Sequence, residues 1–517
     1  MLHVINGSQE EMVVFADDIT AVDKAENLRK WWDTLTSIGP LFGYYPQPTK
    51  SWLITKKDKV GVSKAAFKGT KVPITLSGKK HLGAVIGDED YKKEYCCNKV
   101  KEWIEELTLL SDIALIEPQA AYSCYITGFQ NKYNYLMRTV ENLSIYLTPL
   151  EEVIRTRFIF AITGGHHVND MERRLLSLPP KYGGLGIRMV TKESEHEYNY
   201  SKEVTSNLVA KILGIDVVED QKTKAKIRCK KEARKKSELN ELREEMEEKD
   251  RRLNECNQMI GAYNWLTALP LKESQYELNK QQFWDALRLR YGWNIPNLPT
   301  TCVCGKNFDV NHATSCKKGG FISLRHNEVR NLTANFLSEV CKDVSIEPEL
   351  ITLNGNEHLN NQANRNDESR LDVSAIGFWS PGQKVFCDVR VFDQNALRYR
   401  RTELKKCFQR NEEEKKKFYN ERVLEVENAT FTPLVFSANG GMGRECGVFY
   451  NRLATMIAEK RDIAASEAIS FVRTRISFSL LRSMLLCLRG SRSHKVVSTT
   501  VCDTDIELVN HVSRVNL

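Results

Sequence analysis

The chain has 517 residues, 41% apolar and 27% charged, with only 14 prolines. That is too long for one hydrophobic core and globular in composition, so two to four domains are expected. No run of eighteen apolar residues occurs, and MLHVINGSQEE has no basic stretch leading into an apolar core, so neither a membrane span nor a secretory leader is expected. Fourteen scattered cysteines point to reduced thiols in the nucleus or cytoplasm, with metal binding where they cluster. A net charge of +8 permits a polyanionic partner without demanding one.

Residues 10–20 and 50–56 read as short strands, with the FADD tetrapeptide at a hairpin tip. Between them DKAENLRKWWDTLTSIGPLFG reads as an amphipathic helix, Asp23 capping its start and Gly43 just past its end. HLGAVIG (81–87) is a Gly-punctuated strand or turn, and from Asp88 to about Asp170 the apolar spacing is helical, predicting a bundle. LPPKYGGLGIRM (178–189) is the turn that closes it.

Residues 222–236 carry nine Lys or Arg against Glu232 alone, and the following SELNELREEMEEKDRRLNEC places Leu239, Leu242, Met246 and Leu253 on a thin stripe. That predicts a solvated helix, either a linker or a phosphate-contacting or nuclear-import segment. WLTALPLKESQYELNKQQFWDALRLRYGW (265–293) is a second helical unit. From about 320 to 440 the order is helix, strand, strand, strand, helix, strand. The chain is then helical to about Arg489, with Arg473, Arg475, Arg482 and Arg489 expected on the exposed side of a packed helix.

Two groups of residues carry chemistry. Cys302-x-Cys304-x7-His312-x3-Cys316 supplies four soft or borderline ligands at a spacing suited to one structural, tetrahedral Zn²⁺. Downstream, a helix bearing Arg325, His326 and Glu328 is followed by strands carrying Asp372 and Asp388 and by a charged helix with Lys415, Lys416 and Tyr419. Two strand carboxylates helped by a helix glutamate can hold Mg²⁺ against a phosphate, with a lysine to orient or deprotonate water. The plainer reading makes Asp372 and Asp388 ordinary strand-end residues and the lysine run a solvated face.

The order FADD, GYYPQPTKSWLI with Lys50, HLGAVIG and GGLGI resembles the palm and thumb of a retroelement reverse transcriptase. The resemblance implies that Asp17 and Asp18 are polymerase metal ligands, that Lys50 lies near the incoming nucleotide and that His81–Gly87 lies near the primer end. A further aspartate and the fingers would precede the aspartate pair, where only sixteen residues stand, so the polymerase is expected to be incomplete and inactive in DNA synthesis. The downstream helix–strand order is similar to the PD-(D/E)xK restriction-like nuclease core, with LD at 371–372 in place of PD. Arg390 stands at the lysine position, where it stabilises charge but cannot act as a base.

Palm, thumb, CCHC knuckle, RHN and nuclease in that order resemble the non-LTR retrotransposon polyprotein with a restriction-like endonuclease. This implies a protein that nicks DNA and primes reverse transcription from the nick, with DNA or RNA as partner. The expected fold is multidomain α+β: partial palm (1–90), helical thumb (91–190), charged helical linker (191–262), helical connector (263–300), zinc knuckle (301–320), α/β nuclease core (321–490) and tail (491–517). The alternative is a nucleic-acid-binding relic that does not cut.

Overall fold

The computed structural model describes residues 11–15, 18–212, 223–351, 370–396 and 398–492. It is a multidomain α+β protein, mostly helical with small sheets. One compact unit comprises Met1–Glu106, Tyr133–Glu151 and Val190–Glu219; the other comprises Leu107–Lys132, Glu152–Met189 and Asp220–Leu517.

In the first unit Glu11–Phe15 and Asp18–Val22 pair antiparallel, with Phe15 opposite Asp18. Ala16 and Asp17 lie outside the described residues, and Asp18 opens the second strand at the surface. The helix Ala25–Ile38 presents Trp31, Trp32 and Leu35 to Leu53, Phe67 and Val72, a small core of its own. Asp23 does not cap that helix. Lys24 occupies the N-cap position, and the Asp23 carboxylate accepts instead from the Lys24 backbone N–H (2.5 Å) and Asn27 Nδ2 (2.9 Å). Gly43 is left-handed (φ 77°), as expected of a terminating glycine.

HLGAVIG lies within a hairpin, Gly78–His81 against Ala84–Gly87. Its two turn residues, Leu82 (φ 47°) and Gly83 (φ 81°), both adopt positive φ, the signature of the turn that matches strand twist. Gly83 does so without penalty, whereas Leu82 bears a Cβ cost of roughly 1–2 kcal/mol. Lys50 sits on an exposed 3₁₀ turn, Pro48–Lys50.

In the second unit the basic helix Thr223–Glu245 is not a free linker. Its stripe is buried: Leu239, Leu242 and Met246 pack on Leu175, Leu178 and Tyr182. Ion pairs Arg174–Glu245 and Lys181–Glu232, both 2.7 Å, flank the seam. The charge run had disguised a packed helix because three apolar residues at helical spacing suffice to dock one face.

The C-terminal part is built on a four-stranded mixed sheet. In chain order it comprises α1 (Phe321–Val340), β1 (Lys342–Ile346), β2 (Val373–Ile376), β3 (Lys384–Phe392), α2 (Leu404–Glu425), β4 (Thr430–Ser437), α3 (Arg444–Arg461) and α4 (Ala465–Arg489). The strand order is β4-β3-β2-β1, with β4 parallel to β3 and the other pairs antiparallel. Alternation along the strands sends Val373, Ala375, Val385, Cys387, Val389, Leu434 and Phe436 to a core shared with α1, α3 and α4. The opposite face sends Phe386 and Phe431 towards α2 through Tyr419 and Val423. Buried on both faces, β3 and β4 read as near-continuous apolar runs, and that leaves Asp388 conspicuous among them.

Helix α4 is packed as expected, but its arginines are not free in solvent. Arg475 and Arg482 donate to backbone carbonyls of Ser274, Gln275 and Glu277 (3.4, 2.6 and 3.0 Å). Arg473 reaches Asn451 Oδ1 at 2.9 Å. Arg489 makes a bidentate pair with the buried Asp285 (2.8 and 3.0 Å).

Candidate active site and metal centre

The knuckle is a local construction. Thr301 and Asn307 bridge across a turn in which Gly305 adopts φ 82° and donates its N–H to Cys302 O (2.8 Å), bringing Cys302 and Cys304 onto one side. The short helix Val310–Ser315 is capped by Asp309, whose Oδ1 accepts from His312 N at 2.6 Å, and it carries His312 and then Cys316 back to the turn. Cys302 and Cys316 Sγ are 3.8 Å apart, Cys304 Sγ is 3.3 Å from His312 Nε2, and all four ligand atoms lie within 4.8 Å of one another. Zn–S bonds of about 2.3 Å in a tetrahedron demand an S···S edge of about 3.8 Å, so this Cys₃His set can hold a metal ion such as zinc. The Lys306 backbone N–H holds the Cys304 thiol below its ordinary pKa, while burial pushes Cys316 up.

The carboxylate site is assembled from four elements. Val373 of β2 pairs with Cys387 of β3, and Asp372, just before β2, donates its backbone N–H to Cys387 O (3.1 Å), which brings it beside the strand position of Asp388. Asp372 Oδ2 accepts from Val389 N at 2.6 Å, and His326 Nε2 of α1 lies 3.1 Å from both that oxygen and Val389 O. A carbonyl only accepts, so Nε2 carries the proton. Burial disfavours charged His326, but the hydrogen bond and charge of Asp372 outweigh it and its pKa is raised.

Asp388 is 5% exposed, and burial pushes its carboxyl up to about 6 despite the Lys415 ammonium. Lys415 Nζ lies 2.6 Å from Asp388 Oδ2. Tyr419, one turn along α2, is pushed up to about 12, by burial first and then by the charges of Asp388 and Asp372.

Several expected residues stand elsewhere. Lys416, about 100° round the helix from Lys415, pairs with Glu445 at 2.6 Å. Glu328, two residues beyond His326 and so on another side of α1, lies towards Arg475 and Arg482 of α4. His326 is the α1 side chain that meets the carboxylates. Arg325 is 3% exposed with its guanidinium against Met484 Sδ (3.4 Å), an interior position rather than a surface one. Arg390 shares the same strand face as Asp388 but is held by Glu414 (3.2 Å), which also receives Arg398 and Arg410. Glu414, which gathers three arginines beside the carboxylates, had no distinguishing signal inside the NEEEKKK run.

No family model matches the sequence, and no curated protein matches it either.

Proposed function

We propose that this chain is a retroelement-derived protein whose C-terminal region is a Mg²⁺-dependent DNA endonuclease of the restriction-like kind, linked to a reverse-transcriptase palm and thumb remnant. The observation that carries this reading is Lys415 Nζ at 2.6 Å from Asp388, with the charge of Asp372 close enough to act on that carboxyl: two carboxylates near neighbouring strands and a helix-borne lysine. The donor set fits a hard cation. Both donors are oxygens, and the burial that pushes Asp388 up is a cost that a bound cation offsets.

Asp372 and Asp388 would hold Mg²⁺, which supplies a polarised phosphoryl group and a water of lowered pKa. Lys415, fixed by its ion pair, donates to the attacking water and orients it in line with the leaving oxygen. The water oxygen bonds to phosphorus as the bond to the 3′ oxygen breaks, and the water proton passes through solvent to that oxygen. The products are a 3′ hydroxyl and a 5′ phosphate. His326, bridging Asp372 and Val389, fixes the first carboxylate rather than reacting. Arg390, a permanent cation, adds positive potential beside the phosphate.

Incubating supercoiled DNA with Mg²⁺ tests the reading. The native protein should nick it, and Asp372→Ala should lower the rate by more than the roughly 10–100-fold typical of supporting residues. Equal or absent cleavage in both would sink it. A second reading, a nucleic-acid-binding relic that does not cut, is favoured by the partners that both carboxylates already have in His326 and Lys415. Salt-dependent binding without cleavage would support that relic.

A further inference from the structure

On the knuckle side of the sheet the second unit contains a cleft of about 580 Å³ whose lining includes Lys249, Arg252, Arg288, Trp293, Arg400 and Arg401, with Glu248 as its acid. The helix Glu248–Gln258 forms one wall, the first turn of the knuckle helix another, and the loop after β3 a third. Arg252 and Arg288 are anchored by neutral groups: Arg252 donates to the carbonyls of Gln394, Tyr399 and Thr402 (3.0, 2.9 and 2.7 Å), and Arg288 to that of Gly164 (2.6 Å). Carbonyls position a guanidinium without cancelling its charge. The neighbouring Asp285 is already engaged by Arg489, and the buried Nε of Arg252 has no hydrogen-bond partner. Arg400 and Arg401 are exposed, and neither they nor Lys249 form an ion pair among the described residues. A concave wall with five cations and one acid focuses positive potential into the cleft.

The walls are tied to the nuclease core. Thr314 of the knuckle helix donates to Asp393 Oδ2 (2.9 Å), one residue beyond β3. Arg390, on β3 between this point and Asp388, and Arg398, on the loop that follows, are both held by Glu414. The volume is within the ~300–1,000 Å³ of small-ligand sites. It is too small to enclose a duplex, whose major groove alone is ~12 Å wide.

We propose that this cleft holds a segment of single-stranded nucleic acid, gripping its phosphodiesters with Arg400, Arg401 and Lys249 and leading the strand along Arg398 and Arg390 to the carboxylates. The direction of the path rests on the nuclease reading; the grip does not. Fluorescence anisotropy of the full-length Asp388→Asn protein, with a labelled 20-nucleotide single strand and the matching duplex over a salt series, tests it.

Adding Arg400→Ala and Arg401→Ala should weaken single-strand binding at least about 10-fold and reduce the slope of log K against log salt by about 1.4. Duplex binding should change less than 2-fold, and Arg400→Lys with Arg401→Lys should restore most of the affinity. An unchanged single-strand affinity, an equal loss on duplex, or no binding to either probe overturns the proposal. Nicking by the native protein is scored separately. Intact nicking with unchanged binding removes the cleft alone, whereas absent nicking with the expected binding loss removes the nuclease alone.

Discussion

The knuckle and the carboxylate site are both polar constellations in the same unit, yet they are built by opposite routes. Four knuckle ligands come from fifteen consecutive residues, set by one turn and one short capped helix. The carboxylate site draws Asp372, Asp388, Lys415 and His326 from two strands and two helices, and its residues meet only after the sheet has formed. A local site is held by turn chemistry and by whatever ion it binds. A site assembled at long range is held by the core around it, and it can retain charge that the core would otherwise exclude.

Metal removal should separate the two most strongly. One zinc per chain is expected by elemental analysis, and Cys316→Ser should abolish it. Structural zinc contributes apparent folding energies of about 10–16 kcal/mol in isolated fingers. The melting temperature should therefore fall sharply; a metal-free protein with an unchanged melting curve would end the comparison.

Next in size is the effect on cleavage. Asp388→Ala should lower nicking at least about 100-fold, close to 3 kcal/mol in the barrier, while elemental analysis still finds the zinc. Lys415→Ala should lower it more than Lys416→Ala, and the reverse order would show that the ion pair at Asp388 is unrelated to the chemistry.

A stability effect of opposite sign follows. Asp388 has its carboxyl raised from about 3.8 to about 6 in the fold. Its contribution is therefore fully present below about pH 4 and is lost as pH rises through 6. Asp388→Asn should gain up to about 3 kcal/mol at pH 8, less whatever Lys415 loses, and nothing at pH 4. Denaturant titrations at the two pH values would read this, and a variant destabilised at both would refute it.

The smallest effect is at His326, whose raised pKa contributes stability that is present below about 6.5 and lost at higher pH. His326→Gln should cost about 1 kcal/mol at pH 5.5 and progressively less by pH 8. A penalty that grew with pH would mean that the Asp372 contact is not an ion pair.

The same contrast explains what could be read from the chain. The knuckle was legible because its ligands and spacing sit in one short stretch, and the element order from α1 to β4 was legible because strand and helix periods differ. Choosing Lys415 over Lys416, or His326 over Glu328, was not possible, because one or two residues on a helix select a face and the face is decided by packing. The docked stripe of Thr223–Glu245 was hidden for the same reason: its partners lie some sixty residues upstream, at Leu175–Tyr182.

The arginines of α4 carry a consequence for modularity. The helix that completes the core of the C-terminal sheet also ties its guanidinium groups to the Ser274–Glu277 segment and to Asp285. Cutting the chain at 321, where α1 starts, would strand a bidentate arginine and leave apolar α4 surface bare. The smallest excisable piece therefore begins before Trp265, which is buried and whose N–H meets Ser477 of α4 at 3.2 Å. Connector, knuckle and sheet would be inherited, swapped or lost together.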